Sequence, residues 1–429
     1  MKQFTFHRRA LALNPAFAEA HRNLGLCLLK EGKHEEAISC SRRALELHPA
    51  FAEAHFDMGV AFRNKEMLDE AVHSYRRALE LKPDYAAAYH NLGNALRGQL
   101  KLDEAAGCYR RALEAEPADA ETHHNQALLM LLRGDFEQGW AESEWRWKTG
   151  VLPPRPFPQP RWNGQLLNSQ AILLHAEQGL GDTIQFIRYA PLIKAFDGTV
   201  LVCCHKPLVR LLATCPGIDQ IIAEGDELPA FDVHLPLLSV PGVLGTTLET
   251  IPANVPYLFA KSQLVDEWRQ RLADVKGFRI GINWHGRPGR GAFRLRDIPL
   301  ECFAQIAELP GVRLISLQKE RHELAGAGFP IIDPGEDVDT AHGAFMDTAA
   351  IMMNLDLVVS SDTSVPHLAG ALGVPVWTAL PFAPDWRWLL DRSDSPWYPT
   401  MRLFRQERAG DWASVFDGML RALQELRRS

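Results

Sequence analysis

Residues Ser360-Ser361-Asp362-Thr363-Ser364-Val365-Pro366-His367-Leu368-Ala369-Gly370-Ala371-Leu372-Gly373-Val374-Pro375 are the most informative stretch of the chain. The apolar, β-branched run Leu355-Asp356-Leu357-Val358-Val359 before them predicts a buried strand. Asp362, Thr363 and Ser364 then offer N-cap oxygens, and His367 to Leu372 continues as a helix that Gly373 closes. A strand feeding directly into a capped helix aims free backbone N–H groups at whatever lies above the sheet, and a phosphate is the usual guest. The same residues also fit an ordinary strand-to-helix crossover with a polar cap.

Other residues could join such a site. Arg287, Arg290, Arg294 and Arg296 fall within ten residues, among Gly286, Gly289 and Gly291. Arginines mixed with glycines can clamp phosphate oxygens, and they also suit a solvated basic loop. Arg296 is the best single candidate. His285 ends an apolar run and is either a proton acceptor or a cleft-lining or core histidine. His367 either reaches a phosphate from its helix or packs. Asp385 and Arg387 are candidates for substrate contact from a mobile loop, whereas Trp386 and Trp388 read as core. Glu177-Gln178-Gly179-Leu180-Gly181-Asp182-Thr183 is a second Gly loop, in which Gly179 and Gly181 let backbone approach a ligand closely. Asp182 is there either as a proton acceptor or as a helix N-cap.

These residues need a scaffold, and length and composition bound it. A chain of 429 residues holds two or three domains. The net charge of −7 is mild, so nothing points to a nucleic-acid partner. No apolar run approaches the roughly 18 residues of a membrane span, and the first nine residues do not form a signal peptide. The seven cysteines include no Cys-x-x-Cys pair, and the adjacent Cys203 and Cys204 suit a buried strand. A reduced, cytoplasmic protein is expected.

Residues 1–150 repeat. Pro15, Pro49, Pro83 and Pro117 recur every 34 residues, as do Gly25, Gly59 and Gly93, and the sets Ala37, Ala71, Ala105 and Ala44, Ala78, Ala112. The pattern is similar to the tetratricopeptide repeat, a helical hairpin with small residues where its helices cross and Pro after the second helix. Three repeats are whole and a decayed fourth carries Trp140, Trp145 and Trp147 in its second helix, expected to pack against the next domain. Asn23, Asp57, Asn91 and Asn125 share one register on the first helices. A carboxamide can donate to and accept from a peptide backbone at once, so this ladder could hold an extended peptide acceptor on the concave face. It resembles the ladder of the O-GlcNAc transferase repeats, with Asp57 as the departure. Asn before Leu-Gly also occurs in such repeats whatever they bind. The array could instead support assembly, including a homo-oligomer.

Residues 151–168 are a Pro-rich connector, stiff and extended. Beyond it, short apolar runs alternate with helical patterns: strands are expected at 171–175, 200–204, 218–222, 278–284, 312–317, 355–360 and 375–380, with helices at 184–196 and 207–214. The fold class is therefore α + α/β: a repeat solenoid, then two Rossmann-like domains at 169–275 and 276–429 with a cleft between them.

Residues 170–429 resemble a two-domain GT-B glycosyltransferase of the heptosyltransferase type. The resemblance rests on Gly179-Leu180-Gly181-Asp182, on Arg296-Asp297-Ile298-Pro299-Leu300 opening a helix, and on Asp362-Thr363…His367-Leu368-Ala369…Ala371-Leu372-Gly373-x-Pro375. The Trp-rich segments 381–388 and 395–399, together with the repeats, depart from lipopolysaccharide heptosyltransferases and point to an O-GlcNAc-transferase-like architecture acting on protein. The resemblance implies an inverting transfer from a nucleotide-sugar, with Asp182 as the base that deprotonates the acceptor hydroxyl. Arg296 and the helix at Thr363 would stabilise the leaving diphosphate, and Asp362 would meet donor-sugar hydroxyls while capping its helix. The resemblance implies a transfer that uses neither metal nor cofactor, and neither is expected. The other readings are a saccharide or lipid-linked acceptor, or a scaffold whose transferase domain is inactive. A sugar-nucleotide epimerase shares the two-domain architecture but does not call for repeats.

Overall fold

The computed structural model describes residues 2–152, 157–286, 295–320 and 323–428. The chain forms two compact units, residues 1–131 with 141–153 and residues 132–140 with 154–429.

The first unit is a stack of helical hairpins: α1 (Lys2–Leu13), α2 (Ala18–Lys30), α3 (His34–Leu47), α4 (Ala52–Asn64), α5 (Leu68–Leu81), α6 (Ala86–Gly98), α7 (Leu102–Ala115) and α8 (Ala120–Leu132). The short α9 (Phe136–Ser143) starts among the residues of the second unit and ends among those of the first, running into a 3₁₀ turn at Glu144–Lys148. The periodic alanines are fully buried at the crossings. A Cβ added at Gly59 would lie 2.6 Å from the Tyr75 ring, and one at Gly93 2.6 Å from Tyr109, so only glycine admits those tyrosines. In the first whole repeat the tyrosine position is Ser41, and a Cβ at Gly25 would come no nearer than 3.3 Å to a neighbour. A further periodic link was not anticipated: Nε2 of His21, His55 and His123 lies 2.9, 3.3 and 3.0 Å from the carbonyls of Pro15, Pro49 and Pro117.

The second unit carries two parallel sheets. The first has order β3-β2-β1-β4, with β1 (Ala171–His175), β2 (Thr199–Cys204), β3 (Gln220–Ala223) and β4 (Val233–Pro236). The second has order β6-β5-β7-β8-β9, with β5 (Phe278–Asn283), β6 (Val312–Ser316), β7 (Leu357–Ser361), β8 (Val376–Leu380) and β9 (Met401–Arg405). In the second sheet Ile282 pairs with Ser316 on one side and Val359 on the other. Ile280, Ile282, Leu314, Leu357, Val359 and Trp377 pack there against Phe416 and Met419 of the helix Trp412–Leu426. The Rossmann-like pair expected from the sequence is present, with β4 and β9 as strands the pattern reading missed. The helix expected at 184–196 starts earlier and is broken into Leu180–Phe186, a 3₁₀ turn at Ile187–Tyr189, and Ala190–Lys194. Pro191 near the start of the last segment has no N–H to continue the ladder.

Trp140 belongs to this unit, where its Nε1 donates to the Thr246 carbonyl at 2.9 Å and its ring meets Phe186 and Trp386 edge-on. Trp145 does not share that role. Its ring stacks on His123, centroids 3.9 Å apart, inside the array.

Candidate functional site

Parallel sheets bind ligands beyond the carboxyl ends of their strands, where the strand order changes direction. In the second sheet that point lies between β5 and β7, and the residues there form one polar network. Asn283, the last residue of β5, accepts from Thr363 Oγ1 at 2.9 Å and from Ser360 Oγ at 3.2 Å. Its Nδ2 donates to Gln318 Oε1 at 2.7 Å, and Gln318 Oε1 also accepts from the backbone N–H of Trp284 at 3.3 Å. Asn283 and Gln318 thus fix the strand ends relative to each other. Sequence reading missed both, although an Asn ending an apolar strand was the available signal.

Thr363 is the N-cap of the helix Ser364–Ala371, its hydroxyl accepting from Val365 N at 3.2 Å, so the capping role expected of this junction falls on Thr363. Ser364 opens the helix. Arg296 converges on the junction, because a Cβ at Gly286 would lie 3.1 Å from Arg296 Nη2 and 3.4 Å from Thr363 Cγ2. His285 is held beside it, with Nδ1 2.7 Å from the Gly286 carbonyl and Nε2 3.5 Å from Glu323 Oε1. Arg287, Arg290 and Arg294 lie outside the described residues.

In the first Rossmann-like domain, Gly179 is the N-cap of the helix Leu180–Phe186. Asp182 Oδ2 accepts from the Gly179 N–H at 2.8 Å, the half of a capping box that the third helical residue supplies. The cap uses one carboxylate oxygen. The other, Oδ1, is paired with Arg387 Nη2 of the second domain. Arg387 Nη1 donates to Asp385 Oδ1 at 2.7 Å and its Nε to Gln185 Oε1 at 2.7 Å. Burial disfavours the charge on Arg387, but Asp385, Asp182 and Asp362 outweigh it and hold the guanidinium firmly protonated. Asp362 is itself buried, and its pKa is pushed up to about 6 by that burial and then by the Asp385 carboxylate. Arg387 was expected in a mobile loop. It is instead buried, and Asp385 caps the 3₁₀ turn Trp386–Trp388 by accepting from Arg387 N at 3.1 Å. Trp386 and Trp388 are core, as read.

The two domains touch where the helix Leu180–Phe186 meets the helix Ser364–Ala371. A Cβ at Gly181 would lie 2.9 Å from His367 Cδ2, so this glycine serves helix contact. His367 takes the packing alternative. It is buried, its Nδ1 lies 2.9 Å from the Tyr398 hydroxyl, and its ring stacks on Trp388. Burial and then Arg387 keep it neutral, well below the usual histidine range. Sequence reading also missed Arg188, a second buried arginine. It donates to the Trp397 carbonyl at 2.5 Å and to the Tyr257 hydroxyl at 2.9 Å, and it lies 4.4 Å over the Tyr398 ring.

In the array, Asn23, Asp57, Asn91 and Asn125 all fall on first helices of hairpins, as expected. Asp57 needs correction as a peptide contact: it is 2% exposed and accepts from Arg22 Nε at 2.7 Å. Asn91 accepts from Arg63 Nη1 at 2.8 Å and donates to the Ala87 carbonyl at 2.8 Å. Asn125 donates to the Glu121 carbonyl at 3.0 Å. Among the described residues no group of three or more His, Cys, Asp or Glu side chains is arranged to hold a metal, and no helix is long and apolar enough to cross a membrane.

Comparison with known proteins supports the repeats directly. Residues 18–51 and 86–119 match the model described as tetratricopeptide repeat, and residues 61–99 match a TPR repeat model. The curated protein FlbA of Caulobacter vibrioides is 27% identical over 331 residues, 71% of this chain and 55% of FlbA. The chain therefore spans about half the length of that relative. Among solved structures, a glycosyl transferase family 9 protein from Veillonella parvula is similar over 62% of this chain and 99% of its own, at 12% identity and a TM-score of 0.47. The MamA crystal structure is similar over 34% of this chain and 85% of its own, at 20% identity and a TM-score of 0.32.

Proposed function

We propose that the chain is an inverting glycosyltransferase that needs no metal ion and moves a sugar from a nucleotide-sugar to a hydroxyl of a protein recruited by the repeats. The carrying observation is the meeting of the Asp182 loop with the Thr363 junction and Arg296. A carboxylate from one domain faces the phosphate-type site of the other. In the transfer, the acceptor oxygen bonds to the anomeric carbon as the bond from that carbon to the diphosphate oxygen breaks. The hydroxyl proton passes to Asp182, and the electron pair leaves on the diphosphate, where Arg296 and the helix N–H groups at Ser364 balance it. Asp362 and Asp385 would accept hydrogen bonds from donor-sugar hydroxyls, and His285 would line the nucleotide side.

The acceptor arm is tested by replacing Asn23, Asn91 and Asn125 together with Ala, which removes peptide hydrogen bonds and keeps good helix formers. Loss of transfer to protein with donor hydrolysis retained supports recruitment by the ladder. One observation favours a second reading. Arg22 and Arg63 already engage Asp57 and Asn91, which suits a saccharide or lipid-linked acceptor with the array used for assembly. A folded triple variant with wild-type transfer to protein would leave that reading.

A further inference from the structure

Arg387 donates from each of its three nitrogens, to Gln185, Asp385 and Asp182. Three carboxylates, Asp182, Asp385 and Asp362, act on this one buried guanidinium, and Arg296 is the other cation acting on Asp362. A buried cation requires an anionic partner, and a planar fork binds carboxylate and phosphate in the same way. Gln185, which accepts from Arg387 Nε, is fully buried, and among the described residues its Nε2 donor has no hydrogen-bond partner. A buried amide N–H left without an acceptor costs free energy that an incoming phosphate oxygen would recover. A diphosphate added beside three carboxylates would meet repulsion unless one of them gave way.

Resting on the glycosyltransfer reading above, we propose that Arg387 receives the donor's diphosphate and that Asp182 and Asp385 hold its fork as stand-in anions until the diphosphate displaces them. The exchange forms and breaks no covalent bond. It moves the guanidinium from carboxylate to phosphate and offers the Gln185 amide an acceptor. Its consequence concerns the base. While Arg387 Nη2 donates to it, Asp182 Oδ1 has that position filled by the guanidinium and does not face an acceptor hydroxyl. Once the diphosphate takes Nη2, that oxygen is free to accept the acceptor's proton. The base is thus armed only when the donor is in place.

The test is calorimetric titration of the full chain with UDP, GDP, CDP and ADP, for the wild type and for Asp182→Asn, Asp385→Asn, Arg387→Lys and Arg387→Gln. Removing a competing carboxylate should tighten diphosphate binding by roughly three- to tenfold, the net effect of one ordinary hydrogen bond, because the Asn that replaces it still offers the guanidinium a neutral acceptor. Arg387→Gln should weaken it by about tenfold or more, and Arg387→Lys should restore only part, since an ammonium lacks the fork. The two isosteric Asn variants keep the proposal testable if Arg387→Gln fails to fold. Binding by the wild type with no tightening in either Asn variant overturns the exchange and leaves the glycosyltransfer reading standing. Absence of binding of every diphosphate to the wild type overturns both.

Discussion

Arg387 of the second Rossmann-like domain donates through Nη2 to Oδ1 of Asp182 on the first. The pair spans 205 residues of sequence, and it joins the residue singled out as base to a cation read as a loop substituent. Asp182 therefore has two duties. One oxygen caps its helix and the other faces the second domain.

Asp182→Asn keeps size and the capping bond and loses the ability to take a proton. Turnover should fall by about two to four orders of magnitude in steady-state assays. A variant that retains most of its activity would move the base role to His285 or Asp362.

Arg296→Ala should weaken nucleoside diphosphate binding by about 1.5–3 kcal/mol, the usual worth of a charged hydrogen bond. The convergence of Arg296, Gly286 and Thr363 motivates this, and calorimetry reads it directly. Equal affinity in variant and wild type would remove Arg296 from the site.

The repeat glycines give a stability test. Ala in a helix interior is favoured over Gly by about 0.5–1 kcal/mol, whereas overpacking costs about 1–3 kcal/mol. Gly59→Ala drives a Cβ to 2.6 Å from Tyr75 and should lower thermal stability, with overpacking the larger effect. Gly25→Ala meets Cys40 Cβ at 3.3 Å and should be nearly neutral. Equal melting temperatures for the two variants would show that the tyrosine rings yield.

Asp57 gives a pH test. Burial raises its folded pKa from 3.8 to about 6, against the pairing with Arg22 that lowers it. The folded state thus holds this proton more tightly than the unfolded chain. Its contribution is complete below about pH 4 and is lost as pH rises through about 6, by up to about 3 kcal/mol. Asp57→Asn should flatten the denaturant midpoint over that window. The same slope in variant and wild type would assign it to other groups.

The sequence by itself determined the elements. A 34-residue period of Pro, Gly and Ala can satisfy only a stack of helical hairpins, because small residues must recur wherever helices cross. Short β-branched runs alternating with amphipathic stretches can satisfy only parallel sheets covered by helices. The cap at Thr363 was legible for the same reason, since capping is a local bond between neighbours in sequence. The strands β4 and β9 were not, because His and Pro in Val233-His234-Leu235-Pro236 and Arg in Met401-Arg402-Leu403-Phe404-Arg405 interrupt the apolar, β-branched runs that marked the other strands. Only the tertiary structure decided which residues face one another: Arg387 on Asp182, Gly181 under His367, Arg188 against Tyr257, and Arg22 on Asp57. Long-range charge pairing leaves no spacing in a chain. It follows from which helix ends two sheets bring together, and from the need of every buried charge for a partner.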